Sequence, residues 1–460
     1  MFELKSKRVL VVGLGKSGLA AALFLGRRGA LVTVSDMRSA EALASEIPAL
    51  LEQSIMVETG GHGMLTFRHQ DLIVVSPGVS LDTPALAQAR SFGTPVIGEL
   101  ELASRFMQGS LLAITGSNGK TTTTALIGAI LKAGGLPTLV GGNIGVPLVS
   151  LIEQAMPDTW SVLEVSSFQL ETTEKFHPRI AVILNITPDH LDRHGTFENY
   201  ALAKERIFAV QDMNDAVVLN ADNPRAAAAA ARAKSKVYWF SARHEVSHGA
   251  WVRDGRVVFR AHEGAAVEDI MAREGIRLKG AHNVENVLAA ACAARLAGVP
   301  ADVVREAIEN FESVEHRLEY VATVKGVQFY NDSKATNVDA TAKAVEAFPG
   351  GIHLILGGKD KGSDYTSLTE LLKERVRVVY TIGSAAAKIE SQLRGVVPLR
   401  SCETLEAAVA AAANEARAGE VVLLAPACSS FDQFENYEHR GREFQKLVSE
   451  RRGWNVWQSA

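Results

Sequence analysis

From Arg8 to Gly15 the chain reads RVLVVGLG, a continuous apolar run that opens onto glycines, and from Leu19 to Arg27 apolar positions recur at helical spacing. This predicts a strand, a tight turn and a helix. Apolar runs at Leu31–Ser35 and Leu72–Ser76 each end on turn signals, with stretches rich in Ala and Leu between them. Alternating β and α segments predict a parallel, doubly wound sheet. The unit closes around Val96–Met107, after which LLAITGSNGKTTTTALIGAILKAGG begins a second strand, glycine loop and helix, so a boundary falls near Gly109.

The middle segment carries the runs WSVLEVSS, IAVILNIT, DAVVLNA and KVYWFSA, then an alternating patch from Trp251 to Phe259 that predicts an antiparallel ribbon. Its helix LKGAHNVENVLAAACAARLAG ends at Gly298, with Pro300 beyond. A third βα series follows in FYNDSKAT, IHLILGG, VRVVYTIG and VVLLAPA, with a second boundary near Val314. The expected architecture is α/β in three domains: 1–108, 109–314 and 315–460. The alanine run Ala226–Ala231 reads as a surface or packing helix, and no repeat of 20 to 50 residues appears.

At about 150 residues per domain, 460 residues agree with that count. Apolar residues make up 47% and charged residues 22%, which excludes a disordered or collagen-like chain. Lys and Arg number 48 against 52 Asp and Glu, a net charge of −4 without a basic tail, so nucleic acid is not an expected partner. The three cysteines, Cys292, Cys402 and Cys428, are widely spaced and suit a reducing cytoplasm. No secretion signal and no membrane-spanning run is expected.

Gly13, Gly15 and Gly18 fit G-x-G-x-x-G after a strand, and Asp36 stands at the end of the next strand. A nucleotide diphosphate on the helix N-terminus is one reading; a plain βα turn is the other. NAD or flavin is a narrower possibility than a diphosphate. The second loop, TGSNGKTTT from Thr115 to Thr123, follows the strand LLAI and precedes an apolar-periodic helix. Its backbone N–H groups can cradle phosphates while Lys120 reaches the outer ones and Thr121 offers a hydroxyl to Mg²⁺. Position 114 is Ile, so the spacing is the shortened G-x-x-G-K-T from Gly116.

A magnesium site needs hard oxygen ligands near those phosphates. Glu164 ends the strand WSVLEVSS, and His190 in NITPDHLDRHG follows another strand, at the sheet edge where ligands gather. Asn143 lies in the glycine turn GGNIG, and Asn283 and Asn286 lie three apart on one helix face, where they can read a base edge or cap. Nothing in composition singles out Lys204. In the third segment Asp332, Lys334 and Thr336 crowd after a strand, with His316 and Arg317 upstream. Lys359 and Lys361 in GGKDKG, with Ser429, Ser430 and Tyr437 after the last strand, suit a carboxylate pocket. Cys428 reads as a small hydrophobe rather than a nucleophile, since no His–Asn pair accompanies it. DNPR, Asp222–Arg225, reads as a loop.

The succession TGSNGKTTT, LEVSSFQLE, NITPDHLDRHG, GAHNVENV, NDSKATN and PACSSFDQFENYEHRG resembles the Mur ligases over nearly the whole chain, and NDSKATN with SFDQFENYEHRG resembles the branch that adds D-glutamate. The resemblance implies a Rossmann-like N-terminal domain for a UDP-sugar, a central phosphate-loop domain for ATP and a Rossmann-like C-terminal domain for the amino acid. It implies UDP-substrate contacts at Lys16, Ser17, Asp36, Arg38, Gly78 and Asn143. It implies ATP contacts at Gly116, Ser117, Asn118, Gly119, Lys120, Thr121 and Thr122, with Asn283 and Asn286 at adenine and Arg317 and Asp332 at phosphate and ribose. Thr121, Glu164 and His190 would serve two Mg²⁺, and Lys204 would carry a carbamate toward the second. Lys334, Thr336, Lys361, Ser430 and Tyr437 would meet D-glutamate, with Lys359 as the alternative to Lys361. The catalytic set is then Lys120, Glu164, His190 and Lys204. The implied reaction joins D-glutamate to UDP-N-acetylmuramoyl-L-alanine through an acyl phosphate, in a cytoplasmic, monomeric enzyme of peptidoglycan precursor synthesis whose domains close to exclude water.

Overall fold

The computed structural model describes residues 3–278, 280–311 and 315–453. It contains three sheets. The first consists of β1 (Arg8–Val12), β2 (Leu31–Asp36), β3 (Met56–Thr59), β4 (Leu72–Val75) and β5 (Val96–Gly98), in the order β3-β2-β1-β4-β5 with parallel pairing throughout. Val9 to Val12 are fully buried; a parallel strand covered on both faces has to be apolar at every position. Each such Val or Leu contributes about 1.5–3 kcal/mol. The strand order reverses between β1 and β4, which opens a crevice at their C-terminal ends.

The second sheet contains β6 (Ser110–Thr115), β7 (Thr138–Gly142), β8 (Trp160–Glu164), β9 (Ile180–Ile183), β10 (Ala216–Asn220), β11 (Lys236–Ser241), β12 (Gly249–Arg253), β13 (Arg256–Arg260) and β14 (Glu268–Ala272). Its order is β14-β13-β12-β11-β10-β9-β6-β8-β7. β6 lies between β8 and β9, parallel to both, so the ends of all three share one edge. The expected ribbon is present as antiparallel β12 and β13. The third sheet contains β15 (Glu319–Val324), β16 (Val327–Asn331), β17 (Ile352–Gly357), β18 (Val376–Ile382), β19 (Leu399–Glu403) and β20 (Val421–Leu424), in the order β15-β16-β20-β17-β18-β19. The expected boundary at residue 314 lies outside the described residues.

Compactness divides the chain in two: Met1–Ala272 with Leu288–Ile308, and Arg273–Val287 with Glu309–Ala460, as far as they are described. Within the first unit, buried carboxylates tie the first two sheets together. Glu99 accepts from Val149 N at 2.7 Å, and Glu101 accepts from three successive N–H groups, of Glu174, Lys175 and Phe176, at 2.8–3.0 Å. Removal from water raises the Glu99 carboxyl to about 7.

One reading needs correction. DNPR is a loop only in its first half: Asp222 and Asn223 lie in a turn, and the Asn223 side chain accepts from Ala226 N and caps a helix, Pro224–Ala228, with proline in its first turn. The alanine run continues it into a 3₁₀ turn, Ala229–Arg232, and packs through Ala226 and Ala229. Among the described residues no helix is long and apolar enough to cross a membrane.

Candidate active site

The glycine loop after β1 is held by a close approach. A β-carbon on Gly18 would lie 1.8 Å from the Gly13 carbonyl oxygen, and Gly13 has φ 89°. The Ser76 hydroxyl donates to that carbonyl at 2.7 Å, joining the β1 and β4 ends. Above them opens a cleft of about 580 Å³, and Lys16, Ser17, Asp36, Arg38 and Gly78 all line it. The Asp36 carboxylate accepts from Leu14 N (2.6 Å), from Arg38 N (2.8 Å) and from the Arg38 guanidinium through both oxygens (3.1 Å each). Burial alone would raise its pKa, but the bonds from Arg38 and Leu14 outweigh this and hold it below the usual carboxylate range. In a dinucleotide site the acidic residue meets a ribose hydroxyl. Here it is engaged in holding the loop and in aiming Arg38.

In the second sheet, Gly119 (φ 86°) turns the chain from β6 into the helix Lys120–Ala133. Two lysines meet at one carbonyl: Lys120 Nζ donates to Gly116 O and Ser117 O at 2.9 Å, and Lys204 Nζ donates to Gly116 O at 2.8 Å. Lys204 is buried on the helix Phe197–Glu205, 4.5 Å from the centre of the Tyr200 ring. Burial, and then the Lys120 charge, lower its pKa well below the ordinary value. Glu164, also buried, accepts from the Thr121 hydroxyl at 2.7 Å and from the Asn143 amide at 2.8 Å. Asn143 therefore stands with Glu164 and not among the residues lining the first cleft. Thr122 is buried in the first helical turn.

The remaining loop residues are anchored to the end of β9. Ser117 Oγ donates to Thr187 O at 2.9 Å and accepts from Thr187 N at 3.0 Å. Asn118 exchanges two bonds with the Asn185 side chain, accepting at 3.1 Å and donating at 2.9 Å. His190 has φ 53°, and its ring lies edge-on to Phe168 at 4.9 Å and 3.6 Å from Asp189. Arg193, three residues on, donates to Glu171 and to Val79 O at 2.9 Å each, linking this segment to the wall of the first cleft.

In the second unit Asn283 and Asn286 are buried on the helix Ala281–Leu296, where the Asn286 amide donates to Asn283 Oδ1 at 2.8 Å. Arg317 lies 3.9 Å from Asp332. Burial raises the Asp332 carboxyl to about 6, against the lowering effect of Arg317. Lys334 Nζ donates to the Tyr437 hydroxyl at 3.2 Å and stands over its ring. Thr336 is half-buried in the same loop and Ser430 is buried after β20. The backbone of Lys359 pairs with Ser429 and its side chain is exposed, whereas Lys361 is half-buried.

Cys428 is buried, its thiol raised to about 11 by burial, within 2.9 Å of the Tyr365 hydroxyl. A thiol at that value is no nucleophile at neutral pH. Sequence reasoning misses Asn185, Ser76 and Arg193. Asn185 carries the same strand-end signal as Glu164; Arg193 stands inside NITPDHLDRHG, but its residue type and spacing do not mark it.

The oxygen donors at the phosphate loop suit magnesium. Thr121 and one carboxylate, Glu164, are the kind of partial set that Mg²⁺ would complete with nucleotide phosphates and water. Among the described residues no group of three or more His, Cys, Asp or Glu could hold a metal by itself.

Three family models match the chain: the N-terminal domain of MurD-like Mur ligases over residues 7–98, the Mur ligase middle domain over 114–294 and the Mur ligase glutamate ligase domain over 316–428. The UDP-N-acetylmuramoylalanine–D-glutamate ligase of Acidobacterium capsulatum is 66% identical over 458 residues, which cover 100% of this chain and 99% of that protein. The ligase of the same name from Koribacter versatilis is 62% identical over 446 residues, 97% of this chain and 98% of its own. Among solved structures, the UDP-N-acetylmuramate-alanine ligase MurC of Thermotoga maritima has a TM-score of 0.60 at 20% identity, covering 96% of this chain and 99% of its own. The MurF ligase of Thermotoga maritima in complex with ADP also scores 0.60, at 19% identity, over 98% and 100%. At these identities the two structures establish the fold.

Proposed function

The chain belongs to the Mur ligase family, and on that premise we propose that it is an ATP-dependent ligase that joins D-glutamate to UDP-N-acetylmuramoyl-L-alanine in peptidoglycan precursor synthesis. Two relatives above 60% identity over their full lengths bear the name of that ligase. The observation that carries the chemistry is the convergence of Lys120 and Lys204 on the Gly116 carbonyl beside the Thr121–Glu164 pair.

A carboxylate is a poor electrophile. The alanine carboxylate of the UDP-substrate attacks the γ-phosphate of ATP, ADP leaves, and an acyl phosphate forms. The D-glutamate amine adds to its carbonyl carbon, and phosphate departs from the tetrahedral intermediate. The residues from Gly116 to Thr122 would hold the phosphates, and Lys120 would exchange its two carbonyl partners for phosphate oxygens. Thr121, Glu164 and His190 would hold magnesium. The metal, when bound, supplies positive charge against the transferring phosphoryl group. Burial of Lys204 favours its neutral amine, the form a carbamate requires. Lys16, Ser17, Asp36, Arg38, Gly78 and Asn143 would meet the UDP-substrate. Asn283 and Asn286 would meet the adenine of ATP, Arg317 and Asp332 its phosphate and ribose, and Lys334, Thr336, Lys361, Ser430 and Tyr437 would bind D-glutamate.

The test is phosphate release with ATP, Mg²⁺ and UDP-N-acetylmuramoyl-L-alanine against single amino acids. Stimulation by D-glutamate is expected. Its absence, or stimulation by another amino acid instead, overturns the assignment.

A further inference from the structure

Arg440 is among the largest side chains buried completely, and no site residue named above accounts for it. It lies one turn into the helix Tyr437–Gly453. Its guanidinium donates from Nε to Ser333 Oγ (2.9 Å), from Nη2 to the Ser333 carbonyl (2.7 Å) and from Nη1 to the Cys428 carbonyl (3.2 Å). A β-carbon on Gly358 would lie 3.2 Å from Nη1. One side chain thus reaches the loop that carries Lys334 and Thr336, the segment that carries Ser430, and the glycine turn that leads to Lys361. Its own helix begins with Tyr437, whose carbonyl accepts from the same Ser333 hydroxyl at 2.8 Å. The hydrogen-bond partners are all neutral, and no ion pair among the described residues includes Arg440. Burial lowers its pKa to about 10, which leaves a cation at neutral pH. The Asp432 carboxylate acts on this charge only from beyond ion-pair range; a buried cation whose hydrogen-bond acceptors are all neutral is costly for packing alone, and at low dielectric its field extends to the surrounding loops.

We propose that Arg440 is a positioning residue of the amino-acid site. It fixes the three loops relative to one another, and its buried positive charge favours an amino acid with a second carboxylate. The proposal rests on the D-glutamate reading above.

Steady-state rates of R440K and R440Q, each with its melting temperature, test it. R440Q removes the charge, while R440K keeps the charge but cannot span Ser333 and Cys428. R440Q should raise KM for D-glutamate about tenfold to hundredfold, the range for hydrogen bonds to a charged group. R440K should raise it less. KM for ATP and for the UDP-substrate should not move. Hydroxamate formed when hydroxylamine replaces D-glutamate, which reports acyl phosphate without the amino-acid site, should stay at the wild-type level. A folded R440Q with unchanged KM for D-glutamate, or hydroxamate lost in proportion to ligation, overturns the proposal. If R440Q does not fold, the same comparison on R440K decides. A wild-type protein that forms hydroxamate but ignores D-glutamate refutes the substrate reading itself, before any variant is made.

Discussion

Replacing Lys204 by methionine separates what this residue does for the fold from what it does for the chemistry. Its side chain is 2% exposed, and its amine nitrogen has the Gly116 carbonyl at 2.8 Å and the Tyr200 ring at 4.5 Å. Burial and the charge of Lys120, which shares the same carbonyl, disfavour the ammonium form. The neutral amine is then the form to weigh: its hydrogen bond contributes about 1 kcal/mol, and methionine is a flexible filler of similar length that keeps the packing. K204M should therefore change the unfolding free energy by no more than about 1 kcal/mol, a shift of about 1–2 °C in melting temperature for a unit of this size. Its pH dependence should change in a defined direction. Between the lowered folded value and the ordinary 10.5, the unfolded chain holds the proton and the folded chain does not. Wild-type stability then rises with pH through that window, and K204M lacks the rise. Phosphate release should fall by a factor of about 100 or more, as when a preorganised group is removed from a reacting centre. Thermal melts from neutral to alkaline pH, run beside the phosphate assay, provide both readouts. Wild-type turnover in K204M, or a destabilisation of several kcal/mol, would refute the reasoning.

Gly18→Ala places its β-carbon 1.8 Å from the Gly13 carbonyl and 2.6 Å from the Ser76 hydroxyl; the cost is about 3 kcal/mol or more. Calorimetry should show weakened UDP binding with ATP binding retained. Asn185→Ala leaves the Asn118 N–H and carbonyl without their side-chain partner, a cost of about 1–3 kcal/mol for each buried group. Its KM for ATP should rise while KM for the UDP-substrate stays. Iodoacetamide at neutral pH should leave Cys292 and Cys428 unmodified by mass spectrometry and activity intact, because burial raises both thiols, that of Cys428 to about 11.

What the sequence discloses follows from how local each device is. The phosphate loop is legible because its cradle is built from consecutive backbone N–H groups and one adjacent lysine. β1, β6, β9 and β20 are legible because burial on both faces forces unbroken apolar runs. The edge and short strands are not. β3 exposes Met56, and β7 ends in Gly141 and Gly142, which read as a turn. The alanine run reads as a helix, but its start does not: the Asn cap and first-turn proline lie in DNPR, which reads as a loop because no apolar periodicity enters it. Lys204 and Arg440 are invisible for a deeper reason. Each sits on a helix with charged neighbours and is buried only because a distant loop folds over it: Gly116 over the first, Ser333 and Cys428 over the second. Asp36 shows the converse. Its position fits a ribose contact, and only the structure shows its carboxylate engaged by Leu14 and Arg38.

The central claim is that ATP activates a substrate carboxylate as an acyl phosphate. It is tested most directly with UDP-N-acetylmuramoyl-L-alanine carrying ¹⁸O in both oxygens of the alanine carboxylate. An acyl phosphate sends one of these oxygens to phosphate and keeps the other in the amide. Mass spectrometry after turnover with D-glutamate should find one ¹⁸O in each released phosphate and one in the new amide carbonyl. Unlabelled phosphate, formed at the same rate as product, would contradict the account.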